Sequence, residues 1–231
     1  MSHPPPKSFH ARQSSPRSST YPSISLAVAA AASGDIIVVG PGTYNESVTI
    51  AVPLSFFGAQ VGNDAWVHRH DPMKESIVDA TGTSGPAFFV NLSSSSLGPV
   101  VIDGFTIQGG TAGYYASGIW AYYYAAPMQI LNNIIQNNAV GVYLYAAEDI
   151  LIKHNLFKTN NGGTAGSEDF GITGTSGYGI GMSYPYYSLA ITENEFTGNT
   201  TTAMYVYEAA YGGAITRNTS ENDGSFVIFN Q

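Results

Sequence analysis

The chain has 231 residues, of which 44% are hydrophobic and only 10% are charged, and its formal net charge is −8. Residues 1–21 carry three basic side chains and no acid, so residues 22–231 hold 5 basic and 16 acidic side chains, a net charge of −11. This acidity excludes a nucleic-acid partner, the lack of any apolar run near roughly 18 residues excludes membrane insertion, and the absence of cysteine excludes disulfides and thiolate metal sites.

The N-terminal segment, residues 1–21, is rich in Pro, Ser and basic residues and has no hydrophobic periodicity. We expect it to be a disordered tail, followed by one domain over residues 22–231. The run from Ser23 to Ser33 predicts a short amphipathic helix, with Ser23 as its N-cap and Gly34 just after its end. Because a solenoid must cover its first open coil, this helix is predicted to cap the N-terminal end of the domain.

Short alternating runs follow the helix. Asp35–Val39, Glu46–Ile50 and Leu54–Phe57 predict strands, and Pro41-Gly42 predicts the turn between the first two. The polar segment Gly62–Lys74 then interrupts the pattern and is predicted to be a loop inserted into the coil.

The stretch from Gly118 to Asn230 repeats one template: a small residue, an alternating five-residue run, a spacer, then Ile-x-x-Asn and a second polar residue five positions on. The two polar columns of this template are Asn133, Asn155, Asn194 and Asn218, and Asn138, Asn160, Asn199 and Asp223. Successive copies are 22 and 24 residues apart where no insertion intervenes. A period in the low twenties, built from short alternating runs, indicates a β-solenoid.

The alternation within each copy predicts which side chains face the interior, because neighbouring residues of a strand point to opposite faces. One set is aliphatic and predicted to stack inside: Ile119, Val142, Ile180 and Met204, with Phe226 and Ile228 in a final partial copy. The first Asn of each copy is predicted to form a ladder of amides at a corner.

The residues SISLAVAAAASGDIIVVGPGTYNESVTI (23–50), followed by PLSFFGAQVG and ESIVDA, are similar to the opening of right-handed parallel β-helix proteins of the pectin-lyase-like superfamily. The Ile-x-x-Asn units resemble the generic repeats of those proteins. The resemblance covers residues 22–230 and implies an all-β fold, a single-stranded right-handed parallel β-helix of seven or eight coils. It implies no single function, because the superfamily includes lyases, hydrolases, epimerases, tail-spike proteins and non-catalytic surface proteins.

An aromatic face is the main functional feature of the sequence. Its residues are the outward members of the repeated strands: Trp120, Tyr122, Tyr143, Tyr145, Tyr205 and Tyr207. Exposed together, these rings exceed the apolar patch of a few hundred Å² that ordinary monomers show. Tyr and Trp suit sugars and protein partners because an apolar ring carries a polar tip. The alternative is that the chain covers this face with its own loops, such as Gly109–Ser117 and Gly162–Gly177.

A second candidate site lies immediately before the Asn ladder, where Lys153, His154, Glu193 and Arg217 align. In related lyases a basic residue removes the proton beside a uronate carboxyl and Ca²⁺ stabilises the enolate. Lys153, His154 or Arg217 would be the base here, and Glu148, Asp149 and Glu193 would hold Ca²⁺. The alternative is a solvated ladder of opposite charges.

A third candidate is the motif His68-Arg69-His70-Asp71, in which two His could bind a metal together with Asp64 or Asp71. The alternative is a polar loop without a metal.

These observations favour a non-catalytic, extracellular or cell-surface module that binds a glycan or a partner protein through the aromatic face and needs no cofactor. A Ca²⁺-assisted polysaccharide lyase or epimerase acting on a uronan is the first alternative. A structural unit that associates end to end through its C-terminal coil is the second.

Overall fold

A computed structural model of the chain describes residues 6–11, 20–67, 69, 71–92, 98–122, 127–163, 176–184, 186–207 and 213–230, and for Thr20, Tyr122, Glu148, Tyr186, Tyr187 and residues 228–230 it describes the backbone alone. These residues form a parallel β-helix in which every strand pair is parallel.

Two short strands and one helix precede the first coil: β1 (Ser8–Ala11), β2 (Thr20–Tyr21) and α1 (Ile24–Ala30). Coil 1 contains β3 (Ile36–Val39), β4 (Gly42–Tyr44) and β5 (Val48–Ile50). Coil 2 contains β6 (Ser55–Phe57), the 3-10 turn Pro72–Lys74, β7 (Ser76–Asp79) and β8 (Phe88–Val90). Coil 3 contains β9 (Val100–Asp103), β10 (Phe105–Gln108) and β11 (Ile119–Tyr122).

Coil 4 contains β12 (Met128–Leu131), β13 (Ile134–Gln136) and β14 (Val140–Tyr145). Coil 5 contains β15 (Glu148–Lys153), β16 (Leu156–Lys158) and β17 (Tyr178–Ser183). Coil 6 contains β18 (Tyr186–Thr192), β19 (Glu195–Thr197) and β20 (Thr202–Tyr207). Coil 7 contains β21 (Gly213–Thr216), β22 (Thr219–Glu221) and β23 (Val227–Asn230).

The three strands of each coil stack on those of the next and form three sheets. Sheet A runs β2-β1-β3-β6-β9-β12-β15-β18-β21, sheet B runs from β4 to β22, and sheet C runs from β5 to β23. The predicted interior set pairs in register, since Ile119 lies opposite Val142 and Ile180 lies opposite both Val142 and Met204. All four side chains are buried in one continuous core, so the predicted fold and its alternation are confirmed.

The final copy pairs one residue later than predicted. Val227 lies opposite Met204, and Phe229 lies opposite Val206. Phe226 is therefore not an interior residue and is 43% exposed. Val227 follows Asp223 by four residues, whereas its partner Met204 follows Asn199 by five, so the turn before β23 is one residue shorter than the turn before β20.

Helix α1 covers the first coil, as predicted. Ser23 accepts a hydrogen bond from Leu26 N at 3.2 Å, and Ile24 and Ala27 are buried against the core. Glu46 fixes the start of the helix, since its carboxylate accepts from the backbone N–H groups of Ile24 and Ser25 at 2.8 and 2.9 Å. At 7 residues α1 is short, and no described helix is long and apolar enough to cross a bilayer.

The N-terminal segment differs from the expected disordered tail in its described parts. Strand β1 pairs with β3 and extends sheet A by one strand, with Ala11 fully buried. Lys7 N donates to Asp35 Oδ1 at 2.7 Å, and the Tyr44 hydroxyl donates to Ala11 O at 3.1 Å. Composition favours disorder here, but the edge of β3 offers unpaired backbone groups that this segment satisfies.

The first polar column forms the predicted ladder inside one corner of the coil, and the second column forms a ladder that was not predicted inside another. In the first, Asn155 Nδ2 donates to Asn194 Oδ1 at 3.0 Å, and Asn155 Oδ1 accepts from Asn133 N and Nδ2 at 2.9 and 3.1 Å. Asn155 Nδ2 also reaches Ile130 O at 2.8 Å. The second ladder, Asn138 to Asp223, repeats this arrangement.

We expect Asn155→Ala to destabilise the protein by about 3 kcal/mol, because it leaves several buried donors and acceptors unpaired at once. Chemical denaturation measures this change in the free energy of unfolding. Asn63→Ala is the control, since the exposed Asn63 bonds only Gln60 in its own loop, and it should change stability by less than about 0.5 kcal/mol. Equal effects of the two substitutions would contradict the role given to the ladder.

Candidate functional site

The aromatic face is largely covered rather than open. Trp120 and Tyr143 are fully buried and form a second core cluster outside sheet C, with ring centroids 4.3 Å apart. Tyr115 lies 4.9 Å from Trp120, and Ala116 belongs to the same cluster. The expectation that Trp120 and Tyr143 are exposed is therefore wrong, because the chain between β10 and β11 folds back over them.

Small residues in coil 5 make room for this second cluster. The ring of Tyr143 lies over Gly181, where an added Cβ would come within 2.8 Å of it. The Tyr143 hydroxyl bonds Ser183 Oγ at 2.7 Å, and burial raises the pKa of Tyr143. Gly181 and Ser183 stand where neighbouring copies have aromatic residues, and their small size leaves room for the ring of Tyr143.

Three tyrosines at the end of sheet C are half-buried and keep part of their surface accessible. Tyr184 contacts Tyr145 and Tyr207 edge to face, with ring centroids 5.5 Å apart in both pairs. We call Tyr145, Tyr184 and Tyr207 the tyrosine column. Tyr205 is also half-buried and packs against Tyr178 at 5.9 Å. The side chain of Tyr122 lies outside the described residues.

The corner between sheets A and B carries the second candidate site. Each turn there contains one residue with a left-handed backbone, and these residues form an outward column: Asn132, His154, Glu193 and Arg217, with φ between 52° and 57°. A non-glycine residue is uncommon in this conformation. Backbone hydrogen bonds between neighbouring coils stabilise this conformation at the corner, since His154 N donates to Glu193 O at 3.1 Å and Glu193 N donates to Thr216 O at 3.2 Å.

The structure brings together all four candidate catalytic residues around one carboxylate. Glu193 receives Lys153 Nζ at 3.1 Å, His154 Nε2 at 2.6 Å and an Arg217 guanidinium nitrogen at 3.0 Å. The hydrogen bonds from Lys153 and His154, aided by the charges of Lys153 and Arg217, lower the pKa of Glu193. The basic side chains are thus directed at Glu193, as in the predicted ladder of opposite charges.

The predicted Ca²⁺ ligands do not all join this column. Asp149 is exposed near the start of β15, four residues from Lys153 at its end, which is about 13 Å along a strand. The side chain of Glu148 lies outside the described residues. Across the described ranges, no group of three or more His, Asp or Glu side chains is placed to hold a metal ion.

Arg69 anchors the inserted loop to the β-helix. Its buried guanidinium pairs with Glu75 and donates to Asn132 O and, at 2.8 Å, to Phe105 O. His68 and His70, the predicted metal ligands, lie outside the described residues. Asp71, their neighbour, instead caps the 3-10 turn through Met73 N at 3.0 Å.

The anchored loop forms a cleft of about 260 Å³ against the corner column. Ala65 N donates to His154 O at 3.2 Å, which holds the tip of the loop over coil 5. The side chains that define the cleft are Asp64, Trp66, His154, Glu193, Glu195 and Arg217. Trp66 is 57% exposed.

Glu195 is a candidate site residue that the sequence analysis missed. Only 8% of the residue is exposed, and its carboxylate has no hydrogen-bond or ion-pair partner among the described residues. Burial, reinforced by the charges of Glu221 and Asp64, raises its pKa to about 7. A sequence signal was present: Glu195 follows its ladder Asn where the preceding copies have Ile134 and Leu156.

Glu195→Gln is expected to stabilise the protein above pH 7, by on the order of 1 kcal/mol, because burial opposes the charge that it removes. From an ordinary pKa of 4.5 to a folded pKa of about 7, the unfolded chain loses a proton that the folded chain keeps. The stability of the wild-type protein therefore falls across this window. Thermal unfolding should show a higher Tm for the variant at pH 8.5 and no difference at pH 4.

Glu193→Gln is the matched substitution two residues away and should act in the opposite direction. It removes an ion-paired carboxylate whose pKa is lowered, so it should lower Tm at pH 7. This deficit should fade as the pH falls below 4.5 and through the lowered pKa of Glu193, because the wild-type carboxylate then becomes protonated. If Glu195→Gln and Glu193→Gln changed Tm in the same direction at pH 8.5, the environments assigned to these two carboxylates would be wrong.

Comparison with known proteins gives one family. A family model described as "Periplasmic copper-binding protein (NosD)" matches residues 85–230, and no curated protein and no solved structure matches the chain. The matched segment is 146 residues long, more than half of the 231, and includes strands β8 to β23 with both polar ladders. The periplasmic location in the description confirms the predicted extracellular or cell-surface localisation. This chain belongs to the NosD family, whose right-handed parallel β-helix it shares.

Proposed function

We propose that the protein is a non-catalytic β-helix module that binds a neutral glycan through the tyrosine column. The single observation that carries this proposal is the contiguous, half-buried row of Tyr145, Tyr184 and Tyr207 along one edge of sheet C. The tyrosine column replaces the broader aromatic face as the proposed binding site, because Trp120 and Tyr143 belong to the second core.

The chemistry of the column supports a glycan ligand. A tyrosine ring offers an apolar surface and a polar tip, and few of its bonds must be fixed on binding. The net charge of −11 over residues 22–231 opposes an anionic polysaccharide. A neutral glycan does not meet this electrostatic repulsion. A partner protein is the competing ligand.

The copper in the family description does not fit the described residues. Protein copper sites use His nitrogen and Cys or Met sulfur, and this chain has no cysteine. Met128, Met182 and Met204 fill the main core, and His154 bonds Glu193. Met73 is exposed and His10 is half-buried, but no group of three His, Asp or Glu side chains among the described residues is placed to hold a metal ion. We therefore assign copper no role in this proposal.

Tyr145→Ala and Tyr207→Ala are each expected to weaken glycan binding about tenfold, since each removes stacking of about 1 kcal/mol or more. Titration against a panel of immobilised neutral polysaccharides measures the change. Tyr114→Ala is the control, because Tyr114 is an exposed tyrosine of the loop after β10. If the wild-type protein binds no neutral glycan, or all three variants bind equally, the proposal fails.

The lyase or epimerase alternative keeps one supporting observation, the convergence of Lys153, His154 and Arg217 on Glu193. Because that carboxylate already engages the basic side chains, we expect no cleavage. Incubation with pectate or alginate, with and without Ca²⁺, should give no absorbance from unsaturated uronates, and NMR should show no epimerised residues. Either product would favour the enzyme, and the loss of that product in Lys153→Ala would locate its base. Association through the C-terminal coil remains a prediction, for which size measurement across protein concentrations is the test.

A further inference from the structure

Glu195 is a buried acid for which the described residues supply no partner. Its side chain lines the cleft beneath the inserted loop, and more than nine-tenths of the residue's surface is buried. The carboxylate oxygens keep some solvent contact in the cleft. A carboxylate that is partly removed from water without a hydrogen bond or a counter-charge still destabilises the folded state. The Gln discussed above would be the more stable choice at this position, so the acid is expected to serve a ligand.

The charges around Glu195 favour a positively charged ligand. Asp64 faces it from the inserted loop and Glu221 from β22, and both act on it electrostatically. Glu193 lies on the neighbouring corner, where Arg217 and His154 bond to Glu193 rather than to Glu195. The nearest basic groups therefore leave the charge of Glu195 uncompensated.

Trp66 gives the same cleft an aromatic wall. The side chain is 57% exposed although the loop that carries it is anchored at Ala65 and Arg69. Asp64 Oδ1 accepts from Trp66 N at 3.0 Å, which fixes the backbone of this residue. An indole face attracts organic cations and covers their apolar groups.

We propose that this cleft binds a small organic ammonium ion, whose charge pairs with the Glu195 carboxylate while its apolar body lies against the Trp66 indole. The volume of about 260 Å³ is slightly below the range of about 300–1,000 Å³ for drug-sized ligands, which limits the ligand to a small amine. A divalent metal ion is a poorer match, because the described acids and His side chains form no group of three around one point. The site is separate from the tyrosine column.

Binding is expected to depend on pH with a defined sign. A cation pairs with the ionised form of Glu195, whose pKa is about 7, so affinity should rise from pH 5.5 to pH 8.5. For a ligand that binds only the ionised form, the increase is about 30-fold. Asp64, Glu193, Glu221, His154 and Arg217 are the other titratable groups around the cleft. Glu195→Gln should remove most of the dependence if Glu195 is its source.

The test is calorimetric titration of the full chain with choline and with 3,3-dimethylbutan-1-ol, an uncharged molecule of the same shape. Choline should bind saturably at pH 8.5, and the neutral alcohol should bind at least tenfold more weakly. Glu195→Gln should lower choline affinity at least tenfold, while circular dichroism shows an unchanged fold. Equal binding of the two probes, no saturable choline binding, or full affinity in Glu195→Gln would overturn the proposal.

Further variants test the aromatic wall and the acidic charges of the cleft separately. Trp66→Ala should weaken choline binding severalfold and Trp66→Phe should retain most of it, because the ring is the contact. Glu221→Gln is the charge control and should stay within about twofold, since Glu221 is exposed and its effect is screened by water. If Glu221→Gln lowered choline affinity as much as Glu195→Gln does, binding would depend on the overall negative charge of the cleft. That result would overturn the proposal of a specific site at Glu195. Tyr145→Ala should bind choline with wild-type affinity, because the tyrosine column is a separate site. The choline result therefore stands whether or not the glycan proposal fails.

Discussion

The buried asparagine ladder is the interaction on which the rest of the structure depends. Each amide in the column from Asn133 to Asn218 bonds a neighbouring copy and also satisfies backbone groups inside the corner. A one-residue slip of any coil would leave these groups unpaired without water, so the ladder fixes register as well as stability. The aliphatic core then follows, because the strands on either side of each Asn present alternate residues to the interior.

The same ladder also determines what the outer surface can do. To turn the Asn inward, the preceding residue adopts a left-handed backbone, and its side chain is placed outside the corner. Glu193 therefore projects into a row of basic residues, whereas Glu195, on the far side of Asn194, lies under the inserted loop. Two carboxylates two residues apart thus have pKa values moved in opposite directions, one by ion pairing and one by burial.

The outer face of sheet C shows how a solenoid can hold a second core. Trp120 and Tyr143 have the alternation of exposed residues, yet the segment before β11 covers them and leaves the tyrosine column at the edge. This arrangement gives a rigid support to the half-buried tyrosines. In a NosD-family chain whose described residues offer copper few ligands, we propose that edge and the cleft at the corner between sheets A and B as the binding surfaces.

Much of the fold could be predicted from the sequence, because its determinants are local and periodic. The spacing of Asn133, Asn155, Asn194 and Asn218 and the alternation of Val142 with Tyr143 were sufficient to predict the β-helix, the ladder of these four Asn residues and the interior column. Periodicity could not show that Tyr115 packs on Trp120, that Arg69 fastens the loop across Asn132, or that β1 joins the edge of β3. These contacts join residues far apart in sequence and outside the repeat, so only the tertiary structure decided which aromatic rings are covered and which acid is buried.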